Sequence, residues 1–305
     1  MSNMIISEAV HEALESNRPN VALESTIFSN LGLPSPANAA ALTRTLSAVR
    51  TAGAEPAVTA VMDGSVRVGL EESDHERILG KANKTAERDI PAAISQRWPV
   101  GATTVSASLA IAAQAGIKIF ATGGIGGVHH GSKDTGDVSA DLGAIARHSV
   151  LTVSAGAKAF LDISGTLEHL EMLSVPVVGY QTDEFPMFYA RSSGLPVPLR
   201  LDTATDVARF LSERLSWNSG GVLLAVPVPV ADALSSDEIQ SGMADALRAA
   251  ANNGITGAAV TPFVLGEISD ALGGRNIPAN LALSENNARV AGEVAVALAS
   301  LPGIE

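Results

Sequence analysis

Lysine is scarce in this chain: Lys81, Lys84, Lys118, Lys133 and Lys158 stand against fifteen arginines. Lys158 lies in the apolar run SVLTVSAGAKAFLDI, and its nearest charges are Arg147 and Asp162. The pattern predicts a strand over 150–154, a turn at Ala155-Gly156-Ala157, and Lys158 in the first turn of a helix reaching Leu173. In α/β sheets, ligands bind just past the carboxyl ends of strands. Burial and a positive helix N-terminus both disfavour an ammonium there and leave more free amine. A free amine can attack a carbonyl and form a Schiff base. The alternative is an ordinary lysine extending from a helix surface.

Glu24, in VALESTIFSNLGLP, follows a short apolar strand and precedes Ser25, Thr26 and Ser29. A carboxyl in that position serves as a general acid/base or caps the next segment. The run ATGGIGGVHHGSKDTGDVSADL follows a strand at 118–121. Its glycines let backbone approach a ligand and aim N–H groups at an anion. A mobile lid is the other reading. It is not a dinucleotide fingerprint, because the third glycine position after Gly124 and Gly126 is His129, and it contains no Gly-Lys-Ser/Thr. Asp134, Asp137 and Asp141 offer hard oxygen ligands, either for a manganese or magnesium ion completed by water or as solvated loop acids. Both tyrosines and two of the seven phenylalanines fall in GYQTDEFPMFYARSSGLPVPLRLDT, which either lines a pocket for a flat ring or plugs a long connection.

The elements that must position these residues alternate. Strand-like runs near 21–23, 57–62, 66–70, 118–121, 150–154, 175–180 and 222–226 are separated by helical patterns. That order predicts a three-layer α/β/α fold with a mostly parallel central sheet. Asp63-Gly64, between two apolar runs, is a hairpin signal and makes the sheet mixed. Ser73/Glu76 and Ser235/Glu238 read as capping boxes. No linker or repeat breaks residues 1–305, so one domain is expected, with a possible helical appendage from about 262.

The 305 residues are 46% hydrophobic and 17% charged, enough apolar material for a core and too much for a disordered chain. A net charge of -12 argues against nucleic-acid or anionic-membrane partners. The absence of cysteine excludes disulfides, thiol nucleophiles and cysteine-held metals, and fits a cytoplasmic protein. The uncharged stretch 98–117 has the length of a membrane span but is too polar for one. No basic region opens the N-terminus, so export is not expected.

Taken together, the motifs resemble one family, the pseudouridine-5'-phosphate glycosidases, also called indigoidine synthase A-like proteins. The matching stretches are VALESTIFSNLGLPSPAN, PAVTAVMDGSVRVGL, GATTVSASLAIAAQAGIKIFATGGIGGVHHG, DVSADL, SAGAKAFLDISGTLEHLE, VPVVGYQTDEFPMFYARSSG and TPFVLGEI. The resemblance implies an α/β/α enzyme, a homotrimer that uses Mn2+ or another divalent ion and no organic cofactor. It would reversibly cleave the C–C glycosidic bond of pseudouridine 5'-phosphate to uracil and ribose 5-phosphate.

By the same resemblance Lys158 is the imine-forming nucleophile, Glu24 the acid/base and Asp137 the metal ligand. Lys84, Val105, Thr122, His129, Ser139, Ala140 and Asp141 would bind substrate, Lys84 at the phosphate, and Asn280 and Asn287 would reach the base. Two positions depart from the family pattern: His130 stands where an arginine is usual, and Ala86 where a serine is expected. A Schiff-base aldolase-type lyase acting on another phosphosugar, and a non-catalytic ligand-binding relative, are the competing readings.

Overall fold

The Asp63-Gly64 signal is obeyed directly. In the computed structural model, which describes residues 4–255 and 260–302, these two residues take φ of 53° and 83°. That left-handed pair is what a two-residue hairpin turn requires. Met62 pairs with Ser65 across it.

The strands are β1 (Met4–Ile6), β2 (Asn20–Leu23), β3 (Glu55–Met62), β4 (Ser65–Val68), β5 (Asn83–Thr85) and β6 (Gly101–Thr103) in the first half. The second half adds β7 (Ile119–Ala121), β8 (Leu151–Ser154), β9 (Val177–Tyr180), β10 (Leu199–Leu201) and β11 (Val222–Ala225). The helices are α1 (Glu8–Glu15), α2 (Ala37–Thr51), α3 (Glu72–Leu79), α4 (Ile90–Ser95), α5 (Val105–Ala115) and α6 (Ser132–Thr135). After them come α7 (Ala140–Arg147), α8 (Ile163–Met172), α9 (Ala204–Ser216), α10 (Ser236–Asn252), α11 (Val260–Ala271) and α12 (Asn276–Ala299).

The sheet runs β1-β4-β3-β2-β7-β8-β11-β9-β10. Among the described residues only the β3–β4 and β3–β6 strand pairs are antiparallel, so the sheet is mostly parallel and mixed, as the alternation of elements implied. β2 and β7 lie side by side, yet the chain leaves β2 toward β3 on one side and β7 toward β8 on the other. This reversal is a topological switch point, which opens a crevice beyond the strand ends.

Both faces of the sheet are covered, which is why its strands read as continuous apolar runs. Alternate residues go to opposite faces: Ala22 and Phe120 join one core, Val21, Leu23, Ile119 and Ala121 the other. On the first face α5 packs against α7, and α7 against α8; on the second α12 packs against α2 and α9. Among the described residues no helix is long and apolar enough to cross a membrane.

Local signals placed some boundaries and missed others. Stretch 98–117 splits into β6 and α5, so its apolar character comes from a core strand as well as a helix. α3 starts at Glu72, after Glu71 as its cap residue, and Ser73 lies inside the first turn. Ser235 does cap α10 in position, but its side chain makes no capping bond. β1, β5, β6 and β10 leave no clear signal in the sequence because they are three-residue strands whose pairing comes wholly from their neighbours.

β3 is longer than its partners. Its first half pairs with β2 and its second half with β6. A buried hydroxyl network fills this junction. Thr59 Oγ1 lies 3.1 Å from the Leu23 carbonyl, 2.9 Å from Thr103 Oγ1 and 2.9 Å from Ser108 Oγ. Ser25 Oγ accepts the Thr103 N–H at 2.9 Å, and Thr26 Oγ1 donates to the Thr103 carbonyl at 2.6 Å. The network pins the residues on either side of Glu24. Thr59→Val keeps the shape and leaves these partners short of a bond; we expect a loss of about 1–3 kcal/mol in urea unfolding.

Candidate active site

β2 and β7 pair in the register Leu23 with Ala121. The next residue on each strand, Glu24 and Thr122, therefore meets its neighbour just past the carboxyl edge, at the switch point. Thr122 Oγ1 donates a short hydrogen bond to Glu24 Oε1. Glu24 is only 9% exposed. Burial pushes its carboxyl above the usual range, while the Lys158 charge and the Thr122 bond pull it back. Asp141 reinforces the rise and Lys84 opposes it. An acid held this way keeps its proton to a higher pH than a surface glutamate does.

β8 pairs with β7 on the far side, and Lys158 lies four residues beyond its end. The expected helical turn is absent there. α8 starts at Ile163, where Asp162 Oδ1 accepts the Gly165 N–H at 2.8 Å as its cap. Two local features explain the delay. Gly156 takes φ of 75°, and a Cβ on it would collide with the Pro186 carbonyl. The backbone then runs beside the glycine-rich loop: Ile125 N–H donates to the Gly156 carbonyl at 3.0 Å, and Lys158 N–H to the Ile125 carbonyl at 3.1 Å. The helix N-terminus is thus not beside Lys158, and the helix-dipole effect expected for it does not arise. Its side chain is exposed, not buried. It faces a cavity of about 330 Å3 that Glu24, Phe160, Phe188, Tyr189 and Asn280 also line.

The glycine-rich loop is a framework more than an open cradle. Its N–H groups at Ile125, Gly126, Val128 and His129 bond to Gly156, Asp141, Thr166 and Asp137 respectively. Asp141 is buried, and its carboxylate accepts the Ser106 N–H at 3.1 Å and the Gly126 N–H at 2.9 Å, tying the start of α5 to the loop. Ser139 caps α7 by accepting the Asp141 N–H at 3.2 Å, Ala140 is exposed at that helix start, and Val105 opens α5. The N–H groups of a helix's first turn have no intrahelical partner, which suits them to an anion; in α5 the Ser106 N–H already serves the Asp141 carboxylate.

Lys84, on β5, is close enough to act electrostatically on both Glu24 and His129. Burial holds His129 below the usual histidine range. Asp137 opposes that shift, and the charges of His130, Lys158 and Lys84 reinforce it. His129 Nδ1 lies 3.8 Å from Asp137 Oδ2. Among the described residues no three His, Asp or Glu side chains gather as a metal cage. Asp137 is half exposed on the loop. A single open carboxylate fits an ion held mainly by water and substrate oxygens, the usual form for magnesium-like ions.

The two asparagines part company. Asn280 lines the cavity, and its Oδ1 lies 3.3 Å from Ser284 Oγ. Asn287 is fully buried behind it and donates to the carbonyls of Thr122 and Gly123 at 2.8 and 3.2 Å. It thereby holds the residue that bonds Glu24. The aromatic segment divides between its two readings: Phe188 and Tyr189 line the cavity, whereas Tyr180 and Phe185 are buried in the core. Phe188 takes φ of 53°, and its ring lies 4.5 Å from that of Tyr189. Burial pushes the Tyr189 hydroxyl up to about 12 against hydrogen bonds from Asn276 and Asn280. Asn276 carried no sequence signal, since only the approach of α12 brings it to the cavity.

Fold and site define an α/β protein with an amine and a buried acid opening onto one cavity at the switch point of its sheet. The chain belongs to the indigoidine synthase A-like family, whose model matches residues 9–297. It is 48% identical over 296 residues to pseudouridine-5'-phosphate glycosidase from Solibacter usitatus, covering 96% of this chain and 98% of that protein. The enzyme of that name from Myxococcus xanthus is also 48% identical, over 297 residues, with 96% and 97% covered. The fold matches the prealnumycin C-glycosynthase AlnA in complex with ribulose 5-phosphate, with a TM-score of 0.91, 37% identity and 97% of each chain covered. An indigoidine synthase A-like protein from Thermotoga maritima superposes with a TM-score of 0.85 at 32% identity, covering 98% of this chain and 97% of that one.

The raised pKa of Glu24 makes stability depend on pH. The folded state binds this proton more tightly than the unfolded state does. Its contribution is complete below the ordinary value of 4.5 and is lost as pH rises through the higher folded value. Glu24→Gln removes that loss. Urea unfolding across pH 4–8 will show the wild type losing stability relative to the variant as pH rises from 4.5.

Proposed function

We propose that the protein is a pseudouridine-5'-phosphate glycosidase that cleaves the C–C bond between ribose C1' and uracil C5. The observation that carries this reading is the placement of Glu24 and Lys158 on one cavity, in a chain akin over nearly its full length to enzymes of that name.

The bond to be broken joins two carbons, so a plain oxocarbenium route would leave uracil as a poor carbanion. An amine and a proton donor remove that obstacle. Lys158 Nζ adds to C1', the ring oxygen leaves and takes the proton that the nitrogen sheds, and the sugar opens. The C1'–C5 pair then returns to C5, which takes a proton from Glu24, while the nitrogen lone pair closes an imine to C1'. Water hydrolyses the imine, freeing ribose 5-phosphate and restoring the amine, and the proton released returns to Glu24. Net, one water is added across the bond. The carboxyl that must arrive protonated is the one whose burial favours the protonated form.

The other residues bind and orient. Lys84 and the first turn of α5 beginning at Val105 would face the phosphate, and Asn280 the pyrimidine edge. Asp137 would hold a divalent ion, with water and substrate completing its shell. Such an ion polarises oxygen and offsets phosphate charge. A homotrimer is part of the same proposal.

Incubation with ribose 5-phosphate and borohydride should fix one sugar phosphate on Lys158, located by peptide mass mapping. Lys158→Ala should fold normally and release no uracil; uracil release at the wild-type rate would overturn the imine route. Cleavage without any free pyrimidine would instead favour the aldolase-type reading. Chelation should suppress turnover and Mn2+ restore it, and Asp137→Asn should raise the Mn2+ needed roughly tenfold or more. Full activity in exhaustively metal-free buffer would remove the ion from the reaction.

A further inference from the structure

Glu24 also borders a second, much smaller space, about 10 Å3 in volume, walled by Leu23, Ile27 and Phe28 and by the polar residues Thr45, Thr122 and Ser284. Thr45, on α2, is 4% exposed, and its hydroxyl has no hydrogen-bond partner among the described residues. A threonine inside a helix ordinarily bonds back to the carbonyl four residues earlier, and a buried hydroxyl without a partner is costly. The space is the size of one water molecule, and it offers the two to four polar neighbours that a buried water needs.

We propose that this space is a water site joining the Thr45 hydroxyl to the Glu24 carboxyl, which makes Thr45 a positioning residue for the proton donor. Thr122 occupies Glu24 Oε1; the water serves the other oxygen. It donates to the carboxylate and turns to accept from the protonated acid, so both states of the cycle keep a partner. Ser284, 3.3 Å from Asn280 Oδ1, connects the same water to the far wall of the reaction cavity. The proposal rests on the reading of Glu24 as proton donor only for its catalytic consequence.

The charged groups that act on Glu24 are Lys158, Asp141 and Lys84, and Thr45→Val alters none of them. Losing the water's hydrogen bond disfavours the carboxylate, so the Glu24 titration moves up by about 0.5–1 pH unit. The primary readout needs no activity. Urea unfolding from pH 4 to 8 is compared for wild type, Thr45→Val, Thr45→Ser and Thr45→Val/Glu24→Gln. The expected result is a window of stability loss that extends to higher pH in Thr45→Val, returns to the wild-type window in Thr45→Ser and vanishes in the double variant. An unchanged window in Thr45→Val overturns the water link. The limb of the kcat profile that requires protonated Glu24 should move by the same amount; a limb that stays put while the stability window shifts counts against Glu24 as the donor, not against the water. Should Thr45→Val not fold, a high-resolution crystal structure of the wild type decides: a water peak in reach of both Thr45 Oγ1 and Glu24 supports the link, and empty density overturns it.

Discussion

A carboxyl taken out of water where the winding of the sheet reverses is the constraint on which the rest depends. Burial of Glu24 favours its neutral form, which is the state an acid must be in to deliver a proton near neutral pH. That burial is destabilising unless each polar atom nearby is satisfied. Thr122 across the β2–β7 seam, the Asn287 amide behind it and the hydroxyls of Ser25, Thr59, Thr103 and Ser108 below it meet most of that need, and the Thr45 hydroxyl is left over.

The same logic separates the two acids of the site. Asp141 and Glu24 are both buried, yet their surroundings differ. Two backbone N–H groups face the Asp141 carboxylate and bind the glycine-rich loop to α5. Glu24 opens onto a cavity and feels a lysine. One is a clamp and the other, in the proposed reaction, the proton donor, set by what surrounds each and not by residue type. The glycines of the loop belong to the same division of labour. They allow backbone to run close beside Gly156 and Asp141, so the loop is hydrogen-bonded to the backbone of Lys158 where the two meet.

Kinship with a C-glycosynthase seen with ribulose 5-phosphate and with proteins named as glycosidases places bond making and bond breaking on one scaffold. The proposed route suits both directions, because imine formation and protonation are each reversible steps.

The sequence by itself determined the alternation of strands and helices, the hairpin at Asp63-Gly64 and the residues with chemistry to offer. These are local or periodic facts: a turn that needs positive φ, apolar runs that need two covered faces, a lysine alone among neutral neighbours. Its motifs also pointed to the family. Only the tertiary structure decided that α8 begins after Lys158, that Asn287 holds backbone while Asn280 faces the cavity, and that the glycine loop uses several of its N–H groups internally. Those outcomes depend on which strands become neighbours and on which side chains are thereby buried together. Pairing between residues a hundred positions apart, such as Glu24 with Thr122, leaves no periodic trace along the chain.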